Sequence, residues 1–241
     1  QNYMKNINYE EIDNEGSGDC FFAVIRDALK DVGKVTTVDK LRKMVSEDMN
    51  EETFQHYRSL YLSLSGELKS KEEELLDLKT TMKKIQKNEK KHTRTAEETR
   101  IIKEQLDGIV KKYNELLEEK KQVRENLHDF EFMKEYDTLE KFKDYVLTSQ
   151  YWADDYTISY LEDRLKIKMI ILSKEAYDEK AEDSVIQCGQ LKDEDSNSEP
   201  EHYIITSYVK KHYTLITYKE KGALSFEEIP YGVKALIINK C

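Results

Sequence analysis

The stretch DNEGSGDCFFAVIRDAL, Asp13 to Leu29, places a cysteine between a glycine-rich turn and an amphipathic helix. Gly16 and Gly18 permit backbone conformations that larger residues avoid, so the turn can direct its N–H groups toward one point and hold an oxyanion. Apolar residues recur at helical spacing from Phe21, which predicts a buried helix that begins at about Cys20. A helix N-terminus stabilises a thiolate, so the stretch favours a nucleophilic cysteine. The alternative is a structural cysteine at the start of a core helix.

Length and charge limit the class of protein. The 241 residues are enough for one sizeable core or two small ones, and the charged fraction of 37% is too high for all of them to be compact. The net charge of −10 argues against general nucleic-acid binding and favours a partner with a basic face.

Cysteine usage and hydropathy set expectations for the environment. The three cysteines, Cys20, Cys188 and Cys241, are odd in number and form no CxxC pair, so neither a disulfide framework nor a metal site is indicated. There is no apolar run of about 18 residues, and Gln1 to Glu11 lacks the apolar core of a signal peptide. We therefore expect a soluble protein in a reducing cytoplasmic or other intracellular compartment, without a membrane partner and without a cofactor.

The middle of the chain has the composition of long helices. From Gly66 to Leu127 the residues are mostly Glu, Lys, Gln and Leu, without proline. Two apolar stripes flank the polar stretch Asn88 to Arg94, after which Thr95 and Glu98 match a capping box. The pattern predicts an antiparallel helical hairpin of coiled-coil type at residues 66–127, inserted into a domain formed by residues 1–65 and 128–241. The hairpin is also a candidate surface for a protein partner.

The last third of the chain alternates helix and strand signals. Apolar spacing predicts helices over Phe130 to Val146 and after Asp154 or Asp155, which are candidate caps. Apolar, β-branched and aromatic runs predict strands. These strands are Ile167 to Leu172, Val185 to Cys188, His202 to Tyr208, Tyr213 to Tyr218 and Ala235 to Asn239. The segment from Gly189 to Pro200 is predicted to be a loop.

A cysteine nucleophile needs a base, and the histidines of the chain are the candidates. Three of them, His56, His92 and His128, lie on polar or boundary positions of predicted helices or at the hairpin tip. His202 and His212 each precede a tyrosine at a strand start, where a side chain can point into a cleft beside the cysteine. Spacing alone does not choose between these two.

GSGDCFFAVIRDAL together with HYTLITY resembles the ovarian-tumour (OTU) family of cysteine deubiquitinases. The resemblance implies that Cys20 is the nucleophile, His212 the general base and Tyr213 an aromatic neighbour that contacts the substrate. The sequence Trp152-Ala153-Asp154 resembles the family's tryptophan-glycine segment, which makes Trp152 a further candidate substrate contact. The resemblance covers residues 7–61 and 130–238 and leaves out the hairpin. The closing run, Phe226 to Pro230 with Ala235 to Ile238, is most similar to versions encoded by large DNA viruses.

Two positions depart from the family's pattern, and both concern the acid that orients the histidine. The family often has Asp three residues before the cysteine, where this chain has Ser17, and Asp or Asn two residues after the histidine, where it has Thr214. Thr214 is a candidate orienting residue through its hydroxyl, and Asp13 is a candidate acid from the loop before the turn.

Taken together, the resemblance implies an α+β, papain-like fold with a small central sheet flanked by helices. It also implies a thiol hydrolase that cleaves ubiquitin, or a ubiquitin-like modifier, at its C-terminal amide or isopeptide bond. His212 would help to keep Cys20 as thiolate, and the N–H groups of Ser17, Gly18 and Asp19 would form the oxyanion hole, with that of Cys20 beside them. Two alternatives remain open: a catalytically inactive ubiquitin-binding module and a coiled-coil interaction protein.

Overall fold

Strands from both ends of the chain form one mixed sheet in the computed structural model, which describes residues 7–89, 95–173, 175–176, 185–187 and 200–240. Within these residues the sheet has six strands in the order β1-β5-β4-β2-β3, with β6 paired to β4. The strands are β1 Tyr9–Ile12, β2 Ile167–Ser173, β3 Val185–Gln187, β4 His202–Val209, β5 His212–Tyr218 and β6 Ala223–Leu224. The β2–β4 pair is parallel and the other pairs are antiparallel.

The chain divides into two compact units, one of Gln1–Met49 with Lys143–Cys241 and the other of Asn50–Phe142. The first contains the sheet and the helices α1 Cys20–Lys30, α2 Val38–Asp48, α6 Asp155–Leu165 and α7 Tyr231–Lys240. In this unit α1 packs against β4 and β5, and α6 packs against β2. The predicted α+β class, with a small sheet and several helices, is confirmed. None of the helices among the described residues has the length and apolar character needed to cross a membrane.

Side chains at the helix starts explain several boundaries. The Thr37 hydroxyl accepts a hydrogen bond from the Lys40 N–H before α2, and the Asp154 carboxylate accepts one from the Thr157 N–H before α6. Asp154 is therefore the cap of the predicted helix, rather than Asp155.

One expectation about the first unit was wrong. Ala235 to Asn239, predicted to be a strand, lies in α7, where Val233 and Ile237 are four residues apart and both buried in the core of the sheet. Burial on one helix face outweighs the β-propensity of these residues. In addition, Tyr9–Ile12 is an edge strand paired with β5, although its mostly exposed side chains give little strand signal. The predicted loop from Gly189 to Pro200 lies almost wholly outside the described residues.

The second unit contains the helices α3 Glu51–Glu89 and α4 Ala96–His128, and α5 Leu139–Val146 begins within it. Thr95 and Glu98 form the predicted capping box at the start of α4. Ion pairs join α3 to α4 where Lys71 Nζ meets Glu119 Oε2 at 2.8 Å and Lys120 Nζ meets Glu72 Oε1 at 2.9 Å. Because α3 runs unbroken through residue 66, the predicted insertion limits of 66 and 127 do not coincide with helix ends and stay a prediction.

Candidate active site

Cys20 is the first residue of α1 and is completely buried, with 0% exposure. It follows a single turn of 3-10 helix, Ser17–Asp19. The backbone has positive φ at Gly16, just before this turn, with 73°, and at Ser17, its first residue, with 58°. Left-handed φ values are unfavourable for a serine, so the surrounding contacts hold this turn in place. The predicted helix start at Cys20 is confirmed.

His212 is the first residue of β5, and its Nε2 lies 2.7 Å from Asp13 Oδ1. This hydrogen bond is the main reason why the pKa of the Asp13 carboxyl is lowered, although the carboxyl itself is exposed. The backbone at Gly16 flanks the ring, since a Cβ added there would lie 3.8 Å from His212 Cε1. Asp13 engages Nε2, so Nδ1 is the ring nitrogen that can serve a thiol.

The start of β5 also reaches the cysteine. Burial raises the pKa of the Cys20 thiol, and the backbone N–H groups of Tyr213, Phe21 and Cys20 lower it only in part. Desolvation therefore opposes the thiolate that the helix N-terminus is expected to favour, and that expectation stays a prediction. Among the described residues, no hydrogen bond joins Cys20 Sγ to His212.

Asn14 links the cysteine turn to the histidine strand. Its Oδ1 accepts a hydrogen bond from the Gly16 N–H at 3.1 Å, and its Nδ2 donates to the Tyr213 carbonyl at 2.8 Å and to the Cys20 carbonyl at 3.5 Å. The sequence analysis did not identify Asn14. An Asn two residues before a glycine is a common signature of an Asx turn and was the available signal.

The amide of Gly18 already has a hydrogen-bond acceptor in this structure. Its N–H donates to the Ser149 carbonyl at 3.2 Å, and the N–H of Cys20 donates to the Ser17 carbonyl. Because both N–H groups already have acceptors in this structure, an oxyanion would have to compete with these carbonyls, and the role of Gly18 in an oxyanion hole stays a prediction. A Cβ on Gly18 would lie 2.2 Å from the Ser149 carbonyl oxygen, so the turn and this loop are in close backbone contact.

A buried arginine that the sequence analysis did not identify holds the other side of the turn. The guanidinium of Arg42, in α2, donates to Asp19 Oδ1 at 2.8 Å, to the Val146 carbonyl at 2.9 Å and to the Tyr151 carbonyl at 3.1 Å. It also lies over the Phe22 ring, 4.4 Å from the centroid. The signal in the sequence was a cation at helical spacing from the apolar Val45 and Met49, a placement that requires buried partners.

The other candidate site residues differ in how they lie relative to Cys20 and His212. The Thr214 hydroxyl donates to Glu11 Oε1 at 2.5 Å, so it is directed to β1 and not to the His212 ring. His202 lies at the far end of β4 from the Val209–His212 pair, a separation of about 23 Å along the strand. Trp152 is 42% exposed in the loop before α6. The ring of Tyr213 packs against Phe21 with centroids 5.2 Å apart, and burial raises the pKa of its hydroxyl.

Comparison with known proteins gives a similarity to solved structures. No family model matches the sequence, and no curated protein matches it. One of the similar solved structures aligns over 96% of this chain and 84% of its own, with 13% identity and a TM-score of 0.44. It is described as an ovarian tumour (OTU) domain in complex with ubiquitin. At this level of similarity the family, the substrate and a viral origin all stay proposals for this chain.

The chemistry available to the arrangement follows from its own residues. A thiol, an imidazole on the neighbouring strand and a carboxylate on the far ring nitrogen are the components of a nucleophile, a base and an orienting group. The structure joins the last two directly, through Asp13 and His212, and brings the first to the backbone of the residue after His212. In the described part of the chain, no three His, Cys, Asp or Glu side chains are grouped so as to hold a metal ion.

Proposed function

We propose that the protein is a thiol hydrolase of the OTU type that cleaves ubiquitin, or a ubiquitin-like modifier, at its C-terminal amide or isopeptide bond. The observation that carries the hydrolase proposal is the Asp13–His212 hydrogen bond beside the helix that begins at Cys20. Ubiquitin as the substrate rests on the resemblance of the two motifs around Cys20 and His212. An intracellular setting is part of the same proposal.

In the proposed reaction His212 acts first as a general base. Because burial raises the pKa of the Cys20 thiol, His212 Nδ1 takes the thiol proton as Sγ attacks the carbonyl carbon. Asp13 orients the ring through Nε2 and stabilises the imidazolium that forms. The imidazolium then protonates the leaving amine as the C–N bond breaks, which leaves a thioester on Cys20. Water, deprotonated by His212, hydrolyses the thioester and restores the thiol.

Two features of the turn shape this proposal. With the Gly18 N–H bonded to Ser149 and the Asp19 N–H directed back into the 3-10 turn, the proposed oxyanion donor of the turn is the N–H of Ser17. Because Cys20 is covered, a substrate must also displace part of its surroundings before the thiol can attack. We place Trp152 at the entrance as a substrate contact, since its indole is partly exposed and it directly follows Tyr151, whose carbonyl lies against the turn.

A ubiquitin probe with a C-terminal electrophile tests the proposal. We expect covalent labelling of the wild-type protein and none of Cys20→Ala, while Cys188→Ala and Cys241→Ala serve as thiol controls that keep the labelling. His212→Ala should abolish hydrolysis of ubiquitin conjugates, and His202→Ala, at the far end of β4, should not. Inactivation by His202→Ala with activity retained in His212→Ala would show that the base is misassigned.

A second candidate function is a module that binds ubiquitin conjugates without cleaving them. The observation that favours it is the complete burial of Cys20 together with the raised pKa of its thiol. Saturable binding of ubiquitin chains without labelling by the probe would select this candidate. If the protein is neither labelled by the probe nor binds ubiquitin chains, the remaining alternative is a coiled-coil interaction protein. Its interaction surface would then be the paired helices α3 and α4.

A further inference from the structure

We infer that Asn14 is a positioning residue that sets the distance between Cys20 and His212, an inference that rests on the proposed hydrolase function. Asn14 is neither a nucleophile nor a proton carrier, and it is half-buried between the two elements that carry those groups. Its effect is exerted through backbone groups next to the reacting side chains. No other residue of the turn contacts both elements in the hydrogen bonds of the described residues.

The amide is matched to its three partners. Oδ1 only accepts and faces the Gly16 N–H at 3.1 Å, while Nδ2 only donates and faces the carbonyls of Tyr213 at 2.8 Å and Cys20 at 3.5 Å. The opposite orientation of the amide would set NH₂ against N–H and oxygen against two carbonyls. The side chain therefore has a single orientation, and the short bond to Tyr213 is the strongest of the three.

The sheet explains why this bond is needed. Pairing of β1 with β5 ends at Ile12 and Leu215, so the ladder does not extend to the residues next to His212. Beyond that point the link from the first strand to the start of β5 is made by side chains, through Asp13 to the His212 ring and through Asn14 to the Tyr213 backbone. The neighbouring residues Asp13 and Asn14 thus fix the ring and the main chain of the base separately.

A variant series separates this role from simple stabilisation. Asn14→Ala removes all three bonds, and Asn14→Asp keeps the acceptor for Gly16 but loses the donors to Tyr213 and Cys20. Thr217→Val is the matched control, because Thr217 Oγ1 also links β5 to the β1 backbone, at Glu10, but far from Cys20. Hydrolysis of ubiquitin bearing a C-terminal amide-linked fluorophore gives kcat and KM, and thermal unfolding gives Tm.

We expect kcat of both Asn14 variants to fall about 10- to 100-fold with KM within about twofold, since a shift of about 1 Å in a reacting group costs about 100-fold. Thr217→Val should lower Tm about as much as the Asn14 variants do, and it should leave kcat unchanged. Asn14→Asp with wild-type kcat, or a loss of kcat in Thr217→Val equal to that in Asn14→Ala, would overturn the inference.

A second measurement needs no ubiquitin. The rate of Cys20 alkylation by iodoacetamide, followed on the Cys20 peptide by mass spectrometry, is compared with and without His212→Ala in the wild-type and Asn14→Ala backgrounds. We expect His212→Ala to slow alkylation at least about tenfold in the wild-type background and less than about twofold when Asn14 is Ala, the signature of a coupled pair. If His212→Ala slowed alkylation of Cys20 by the same factor in both backgrounds, the positioning role of Asn14 would be refuted. A coupled cycle in a protein that ubiquitin probes fail to label would instead refute the proposed substrate alone.

Discussion

Replacing Gly18 by alanine tests whether the close contact between the cysteine turn and the loop at residues 149–151 holds the nucleophile in place. The added Cβ would lie 2.2 Å from the Ser149 carbonyl oxygen and 2.6 Å from that of Tyr151. Both neighbours are backbone atoms, so no flexible side chain can yield. Since Cβ contacts under 3.0 Å are essentially never seen, the turn and the loop must separate by about 0.8 Å.

The expected cost follows from this displacement. Overpacking of this kind costs about 1–3 kcal/mol, and loss of the Gly18 to Ser149 hydrogen bond adds about 1 kcal/mol, which gives a total of roughly 2–4 kcal/mol. A shift approaching 1 Å at the residue two positions before Cys20 should also slow hydrolysis about 100-fold. Urea unfolding measures the first effect, and turnover of the fluorogenic ubiquitin substrate measures the second.

The chain provides a matched control for the same chemical change. Gly108 lies inside α4, and a Cβ there would meet nothing within 4 Å. Gly108→Ala should therefore stabilise the protein by about 1 kcal/mol through helix propensity and leave turnover unchanged. A Gly18→Ala protein as stable and as active as the wild type would refute the assignment of this contact as the support of the nucleophile.

Three further predictions concern the acid, the thiol and the turn before His212. Thr214→Ala should keep kcat/KM within about tenfold, or ~1.4 kcal/mol of barrier, because its hydroxyl is bonded to β1, whereas Asp13→Ala should lose more than this. Burial raises the pKa of Cys20, so the unfolded chain releases its thiol proton at a lower pH than the folded protein does. The free energy of unfolding should therefore fall as pH rises above about 8.5. Cys20→Ser should remove that decrease. Lys210 and Lys211 have φ of 49° and 67°, so Lys210→Asn with Lys211→Gly should raise the unfolding free energy by about 1 kcal/mol in urea titrations.

Each of these has a clear contrary result. A thousandfold loss in Thr214→Ala with a fully active Asp13→Ala would make the threonine the orienting group. Stability that is flat from pH 8 to pH 10, or an equal decrease in Cys20→Ser, would show that the thiol is not held in a desolvated site. A double variant of the turn that is less stable than the wild type would show that the two lysine side chains make favourable contacts.

Local signals were sufficient for much of the fold and for the main features of the site. The helix that begins at Cys20, the Thr95 capping box and the strand that begins next to His212 all depend on residues within a few positions of each other. The approach of Asp13 to His212 was one of two alternatives in the sequence, and the structure brings Asp13, not Thr214, to the ring.

The features that were missed depend on contacts between residues far apart in the chain. The pairing of Gly18 with Ser149 and of Arg42 with the carbonyls of Val146 and Tyr151 joins segments more than 100 residues apart, and no local pattern encodes such partners. The wrong strand at Ala235 to Asn239 has the same origin, because burial against the sheet decides its conformation and propensity does not. The raised pKa of Cys20 is likewise a result of tertiary burial.

The hydrogen bond between Asp13 and His212 closes a loop of 199 residues, and the Asn50–Phe142 unit makes up almost half of that loop. The entropy lost on closing a loop grows only with the logarithm of its length, so doubling the loop costs about 0.6 kcal/mol. The presence of the Asn50–Phe142 unit within the chain therefore has almost no effect on the equilibrium free energy of forming the Asp13–His212 contact. The effect on the rate of folding is larger, because contacts so distant in sequence form slowly. On the ribosome, the proposed nucleophile also emerges long before its base. A nascent chain would thus expose Cys20 without any capacity for turnover until β5 has been synthesised and paired.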